Sequence, residues 1–179
     1  MRVCTIGHGA RSIDAFLAIL ADARVDTLVD VRRYPGSRRH PQFGRDELAA
    51  AVRGAGREYS WPGEALGGRR RERPGSRHTA LRNGAFVAYA DHMDTPEFRD
   101  AIGALLAAPG LHAVMCAETL WWHCHRMLIA DALVLRGAAV EHLLEPGTRQ
   151  PHRLTGGVRA GADGWPVYDV TEQPTLPGL

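Results

Sequence analysis

From Val3 to Gly7 the chain is apolar at nearly every position, and from Ile13 onward its apolar residues recur at three- and four-residue spacing. A short continuous run reads as a strand covered on both faces, and the spaced pattern as a helix packed by one side. Ser12 supplies an N-cap for a helix over 13–24 that turns Phe16, Leu17, Leu20 and Ala21 toward a sheet. The strand pattern returns over 27–32, apolar until Asp30. A second helix over 45–56 carries Leu48, Ala49 and Val52 inward, and 58–61 reads as a short third strand. Helices follow over 85–93 and 95–107, divided at Thr95-Pro96, where proline suits a first helical position. Residues 112–117 form the next strand. The best amphipathic helix covers 122–136, with Leu128, Ile129, Ala132, Leu133 and Leu135 as its apolar content, and Gly137 ends it. A last strand spans 139–144, beyond which no periodic element is expected.

Alternating strands and helices predict an α/β fold: one three-layer domain with a mostly parallel sheet of about five strands and right-handed crossovers. The domain is expected over 1–150, with a Gly-, Pro- and Arg-rich loop at 62–83, and 151–179 as an irregular tail packing on it. An unstructured insert of about 20 residues inside a compact domain tends to be functional. The architecture is Rossmann-like, yet Gly7-His8-Gly9 lacks the third glycine of a dinucleotide fingerprint, and no Walker loop is present.

With 179 residues, 45% of them hydrophobic, the chain has material for one ordinary core. It has no apolar run near the roughly 18 residues that span a bilayer and no signal-peptide core after Arg2, so a soluble, cytoplasmic protein without membrane contact is expected. Three cysteines are too few and too scattered for a disulfide framework, which favours free or ligating thiols. Net charge is only +2, but all basic residues are arginines and they crowd between Arg32 and Arg82. A guanidinium offers a planar fork to phosphate oxygens, so this stripe is either a phosphate or nucleic-acid footprint or a solvated basic loop.

Ligands of open α/β sheets bind beyond the carboxyl ends of the strands. Those ends collect His8 after the first strand, Asp30 and Arg32 after the second, and Cys116 with Glu118 after the fourth. Cys124 is expected in or near the first turn of the following helix, where free amides lower a thiol pKa; His125 or His8 would be its base. Arg126 is suited to an anion or to orienting Glu118 or Asp30. A phosphatase loop with arginine six positions after the cysteine is excluded, because Trp122 and Ala130 occupy those positions. Zinc on Cys116, Cys124, His125 and His8 is an alternative, but the cysteines lack Cys-x-x-Cys spacing, and no cofactor is expected.

Several segments together resemble one family. They are Thr5-Ile6-Gly7-His8, Asp30-Val31-Arg32 with Pro35, Ser37 and Arg38, Pro41-Gln42-Phe43, and Leu66-Gly67-Gly68-Arg69. Further along come Tyr89-Ala90 with Met93, Thr95-Pro96-Glu97-Phe98, Met115-Cys116-Ala117-Glu118, Cys124-His125-Arg126, and Pro151-His152-Arg153-Leu154-Thr155. In this order they are similar to the bacterial and archaeal domain-of-unknown-function 488 family, from Thr5 to about Thr155. The resemblance implies an α/β domain and marks His8, Asp30, Arg32, Ser37, Arg38, Glu118, Cys124, His125 and Arg126 as matching its characteristic motifs, without assigning roles. The chain departs from the pattern in the arginine-rich run from Arg69 to His78 and in Gly9, where the family often has serine.

The leading expectation is an enzyme acting on a phosphate-bearing substrate, a nucleotide or nucleic acid, by hydrolysis or group transfer, with glycosidic cleavage as one version. Arg32, Arg38 and Arg69 would hold phosphate, Ser37 would add a hydrogen bond, and Trp61, Trp121 or Trp122 would stack on a base. Glu118 and Asp30, with His8 or His125, would do the chemistry. Two alternatives stand beside it: a thiol-dependent transferase with Cys124 as nucleophile, and a non-catalytic nucleic-acid-binding module that uses the arginine stripe.

Overall fold

The structure is a computed structural model that describes residues 1–36 and 38–170. Five parallel strands, β1 (Arg2–Gly7), β2 (Thr27–Asp30), β3 (Glu58–Ser60), β4 (His112–Cys116) and β5 (Ala139–Glu145), form the sheet. An antiparallel edge strand, β6 (Thr148–Pro151), completes it in the order β3-β2-β4-β1-β5-β6. Helices α1 (Ile13–Asp22) and α2 (Arg45–Gly54) cover one face. The single turn α3 (Gly63–Leu66) and helices α4 (Gly84–Met93), α5 (Pro96–Ala107) and α6 (Arg126–Leu135) cover the other. This is the three-layer α/β domain that the alternation predicts, with six strands rather than about five.

The period of two along a strand divides the core in two. Val3, Val29 and Val114 pack with α4, α5 and α6, whereas Cys4, Ile6, Leu28, Ala113 and Met115 pack with α1 and α2. Helix boundaries follow local chemistry. The Ser12 hydroxyl accepts from the Ala15 amide to start α1, and the helix ends at Asp22 because Arg24 turns left-handed at φ 57°. Its buried face is Phe16, Ile19 and Leu20; Leu17 is half-buried and Ala21 exposed, so the inward stripe lies slightly off the predicted one. In α2 the inward residues are Leu48, Ala49 and Val52, as expected, and Thr95 caps α5 ahead of Pro96.

Two expectations are corrected. The last helix starts at Arg126, not at 122, because Trp121–His123 close a single 3-10 turn and Cys124 is extended at φ −128° and ψ 148°. The region after 144 is not devoid of strands: β6 turns back through Gly147, and the tail forms a ribbon of β7 (Val158–Ala160) and β8 (Pro166–Tyr168). These strands are three or four residues long and β6 is exposed at every position, so no apolar alternation announces them.

The tail is pinned by a buried polar chain. Asp131 of α6 accepts from the Thr155 amide and the Tyr168 hydroxyl at 2.9 and 2.8 Å, and lies 2.9 Å from His152 Nε2. His152 Nδ1 meets His142 Nε2 at 2.9 Å, and His142 Nδ1 meets Thr5 Oγ1 at 2.7 Å. Burial, helped by His152 and Arg126, pushes His142 down to about 3. A consistent proton arrangement follows: the Thr5 hydroxyl donates to His142, His142 to His152, and His152 to the Asp131 carboxylate.

The 62–83 segment is also tied down. Arg70 folds back to donate to the Gly67 and Glu64 carbonyls, and Ser76 donates to Asp91 at 2.6 Å. Arg77 and His78 converge on Asp94 at the end of α4. Among the described residues no helix is long and apolar enough to cross a membrane.

Candidate functional site

Helix α1 leaves β1 toward one face of the sheet, while α6 follows β4 on the other, although β1 and β4 are neighbours. Such a divergence opens a crevice at the strand ends. Here it is a cleft of about 600 Å³ that receives His8, Arg32, Cys116, Glu118 and His125. Glycine is needed where loops cross: a Cβ on Gly7 would overlap the Glu118 carbonyl oxygen, and one on Gly9, at φ 53°, would overlap the Thr119 hydroxyl.

Even-numbered residues following β1 and β2 build one side of the site, on the α1/α2 face. Asp30 is fully buried and accepts from the Arg32 amide at 3.0 Å and Nε at 2.8 Å on one oxygen. Its other oxygen accepts from Arg32 Nη2 at 2.6 Å and the Tyr59 hydroxyl at 2.8 Å. The four acceptor directions of the carboxylate are therefore used. Asp30 clamps Arg32 and does not line the cleft, so the geometry makes it a positioning residue instead of the acid or base that the sequence reading considers. Burial and the neighbouring Asp30 charge push the Tyr59 phenol up.

Arg32 also donates to the Phe43 carbonyl at 2.8 Å and lies 3.4 Å from His8 Nε2. His8 stacks on Phe43, with ring centroids 4.2 Å apart, and its Nδ1 lies 2.9 Å from the Gly9 carbonyl. Burial pulls its pKa down to about 4, with the Gly9 hydrogen bond opposing and Arg32 assisting. At neutral pH His8 is thus an uncharged ring that donates through Nδ1 and turns its Nε2 lone pair to Arg32.

The other side belongs to the α6 face. Cys116 ends β4 there, packed against the larger core, and the chain returns to it through Cys124 and His125. A ligand atom from each of Cys116, Cys124 and His125 lies within 4.8 Å of the other two, and Cys124 Sγ is 3.6 Å from His125 Nδ1. The hydrogen bond from the Cys116 thiol holds Cys124 well below the ordinary thiol range, against burial and with help from His125 and Arg126. The same bond, together with burial, pushes Cys116 up. Cys124 lies just before the N-cap of α6, near its first turn as expected. His8, across the sheet, is not part of this cluster.

Arg126 is 1% exposed and donates to the Glu118 and Thr119 carbonyls. It orients the Glu118 loop through the backbone and is closed off from the cleft, so it is not placed to hold an anion there. Glu118 itself is exposed on the cleft wall, and its Oε1 accepts from the Leu120 amide at 3.2 Å.

The remaining wall is cationic: Arg33, Arg39 and Arg69 join Arg32, with His40 and the exposed Tyr34 beside them. Arg33 donates to the Arg69 carbonyl, and both guanidiniums approach the Tyr34 ring. Arg69 is a predicted residue in place. Arg38 is exposed and does not line the cleft, whereas Arg39 does; Ser37 lies outside the described residues. Arg33, Arg39, Tyr34 and His40 are lining residues that the sequence reading does not single out, although both arginines lie inside the arginine-rich stretch from Arg32 to Arg82.

None of the three tryptophans named for stacking lines the cleft. Trp61 donates to the Arg32 carbonyl under the Arg45 guanidinium, and Trp121 stacks on His142 at 4.0 Å. Trp122 is exposed and packs edge-on against Trp121.

No curated protein and no solved structure matches the chain. A family model does match, over a span that holds Asp30, Arg32, Cys116, Glu118, Cys124, His125 and Arg126 and stops short of His8 and the 151–155 run. With residues 12–133 matched, the chain belongs to the family described as domain of unknown function DUF488.

Proposed function

We propose that the protein is an enzyme that binds a phosphate-bearing substrate, a nucleotide or a stretch of nucleic acid, and acts on it by hydrolysis or group transfer. The observation that carries this reading is the wall of Arg32, Arg33, Arg39 and Arg69, which shares one cleft with Glu118 and the thiol–imidazole cluster. Arg32 is committed to Asp30, Phe43 and His8, so Arg33, Arg39 and Arg69 are the arms that take phosphate. Tyr34 is the aromatic face within reach of a base, and Glu118 is the carboxylate placed to move a proton. Saturation of Asp30 argues against the two-carboxylate, glycosidic version. We also assign the protein to the cytoplasm, since Cys4, Cys116 and Cys124 are all free thiols.

The test is calorimetric titration with nucleoside phosphates and short oligonucleotides. Each arginine–phosphate contact is worth about tenfold in affinity, so Arg39→Ala with Arg69→Ala lowers binding by about a hundredfold and flattens its salt dependence. Binding unchanged in that double variant removes the phosphate assignment. Glu118→Gln keeps binding and loses turnover; if turnover survives, Glu118 is not the proton-moving group, and binding without turnover in the parent chain points to a plain binding module.

The Cys124 environment favours a second reading, thiol-dependent transfer. Rapid alkylation at neutral pH and loss of activity in Cys124→Ser are its expected outcomes. Against it, Cys124 is only 4% exposed, and Cys116 is the sulfur that reaches the cleft.

A further inference from the structure

We propose that Cys116, Cys124 and His125 bind a zinc ion whose fourth coordination position opens into the cleft. A tetrahedral zinc with Zn–S near 2.3 Å and Zn–N near 2.0 Å sets its sulfur and nitrogen ligands about 3.6 Å apart and two sulfurs about 3.8 Å apart. Cys124 Sγ and His125 Nδ1 already stand at 3.6 Å. The widest separation in the cluster, at most 4.8 Å, closes to the required value by a movement of about 1 Å, within reach of side-chain rotation.

The surroundings hold the imidazole toward the two sulfurs. His125 is oriented by packing: its ring lies 4.9 Å from the Tyr89 ring, and a Cβ on Gly68 would stand 3.0 Å from its Nδ1. Its Nε2 is buried with no hydrogen-bond partner among the described residues, so no protein oxygen or nitrogen fixes the ring. Packing holds the imidazole as a ligand arm beside two sulfurs.

Charge agrees with this. Two thiolates and a neutral imidazole around a divalent ion sum to zero, so the occupied cluster adds no net charge to the site. Thiolate with imidazole selects zinc over magnesium or calcium. Cys116 and His125 both line the cleft while Cys124 sits behind them, so the free position faces the cleft and takes a water molecule or a substrate oxygen. The separation of eight residues between the cysteines is spanned by a loop held by Arg126, which the tight spacing of common structural sites does not require.

The inference stands apart from the phosphate reading and is tested without activity. The chain, expressed without a histidine tag in zinc-supplemented medium, is purified without chelator and its metal content measured by mass spectrometry. The expected result is about one zinc per chain, falling at least tenfold in Cys116→Ser and Cys124→Ser with the circular dichroism preserved, and retained in Glu118→Gln and in the Arg39→Ala/Arg69→Ala variant. Cobalt added to the metal-stripped parent chain gives a thiolate-to-cobalt charge-transfer band and tetrahedral visible absorption, a readout that does not depend on the variants folding. A parent chain that holds no zinc after dialysis against it and shows no such band with cobalt overturns the site. So does zinc content unchanged in both serine variants. Phosphate binding lost with zinc intact, or the reverse, tells which of the two readings has failed.

Discussion

Asp30 is fully buried and receives four hydrogen bonds, three of them from one residue, Arg32. Asp30→Asn removes the charge while keeping the shape, which leaves a buried guanidinium without its anion. A loss of about 3–5 kcal/mol is expected, read from urea denaturation midpoints; a change under about 1 kcal/mol would show that Arg32 is neutralised otherwise. Gly7 makes a similar argument from space. Its missing side chain admits the Glu118 carbonyl, and an added Cβ would also stand 2.9 Å from Arg126 Nη2. Gly7→Ala is expected to cost about 1–3 kcal/mol and lower the melting temperature. Asp30 and Arg32 are visible in the sequence as polar residues at a strand end. That they face each other, with Asp30 spent on positioning, depends on Tyr59 and Phe43 arriving from elsewhere.

At the scale of elements, strand parity distributes the chemistry. His8, Asp30 and Arg32 fall on the α1/α2 face and Cys116 on the α6 face, and the two halves meet only where the strands end. The helices were largely legible because caps and apolar spacing are local: Ser12, Thr95-Pro96 and the Leu48, Ala49, Val52 face are all as expected. The start of α6 was not, since nothing in Trp121-Trp122-His123 forbids a helix and the break at Cys124 coincides with its sulfur turning to Cys116. The tail ribbon depends on Asp131, a single carboxylate that meets three partners. Asp131→Ala is expected to cost about 3–5 kcal/mol and to abolish hydrogen-exchange protection in β7 and β8 before the sheet loses its own. Protection lost from sheet and ribbon together would mean that the tail is not a separate unit.

For the whole molecule, acid sensitivity follows from two buried imidazoles. His8 is held near 4 and His142 near 3, against 6.5 for a free ring. Below pH 6.5 the unfolded chain binds protons there that the folded chain refuses, so their contribution is complete above that pH. It is lost progressively as pH falls toward 4 and then 3. Urea midpoints that decline steadily through this window are the expected outcome, and a flat profile would contradict neutral burial. By itself the sequence determined the order of β1 to β5 and of the longer helices, most of the faces they bury, the family, and the concentration of reactive side chains at the strand ends. Periodicity, capping and motif spacing carry that information within a few residues of one another. Only the tertiary structure decided that Asp30 is saturated, that Arg39 and not Arg38 lines the cleft, that Cys116 meets Cys124 and His125, and that Thr5 reaches His142 from 137 positions away. Each of these depends on strand order and side-chain parity, which bring distant residues within hydrogen-bond range and leave no trace in local pattern.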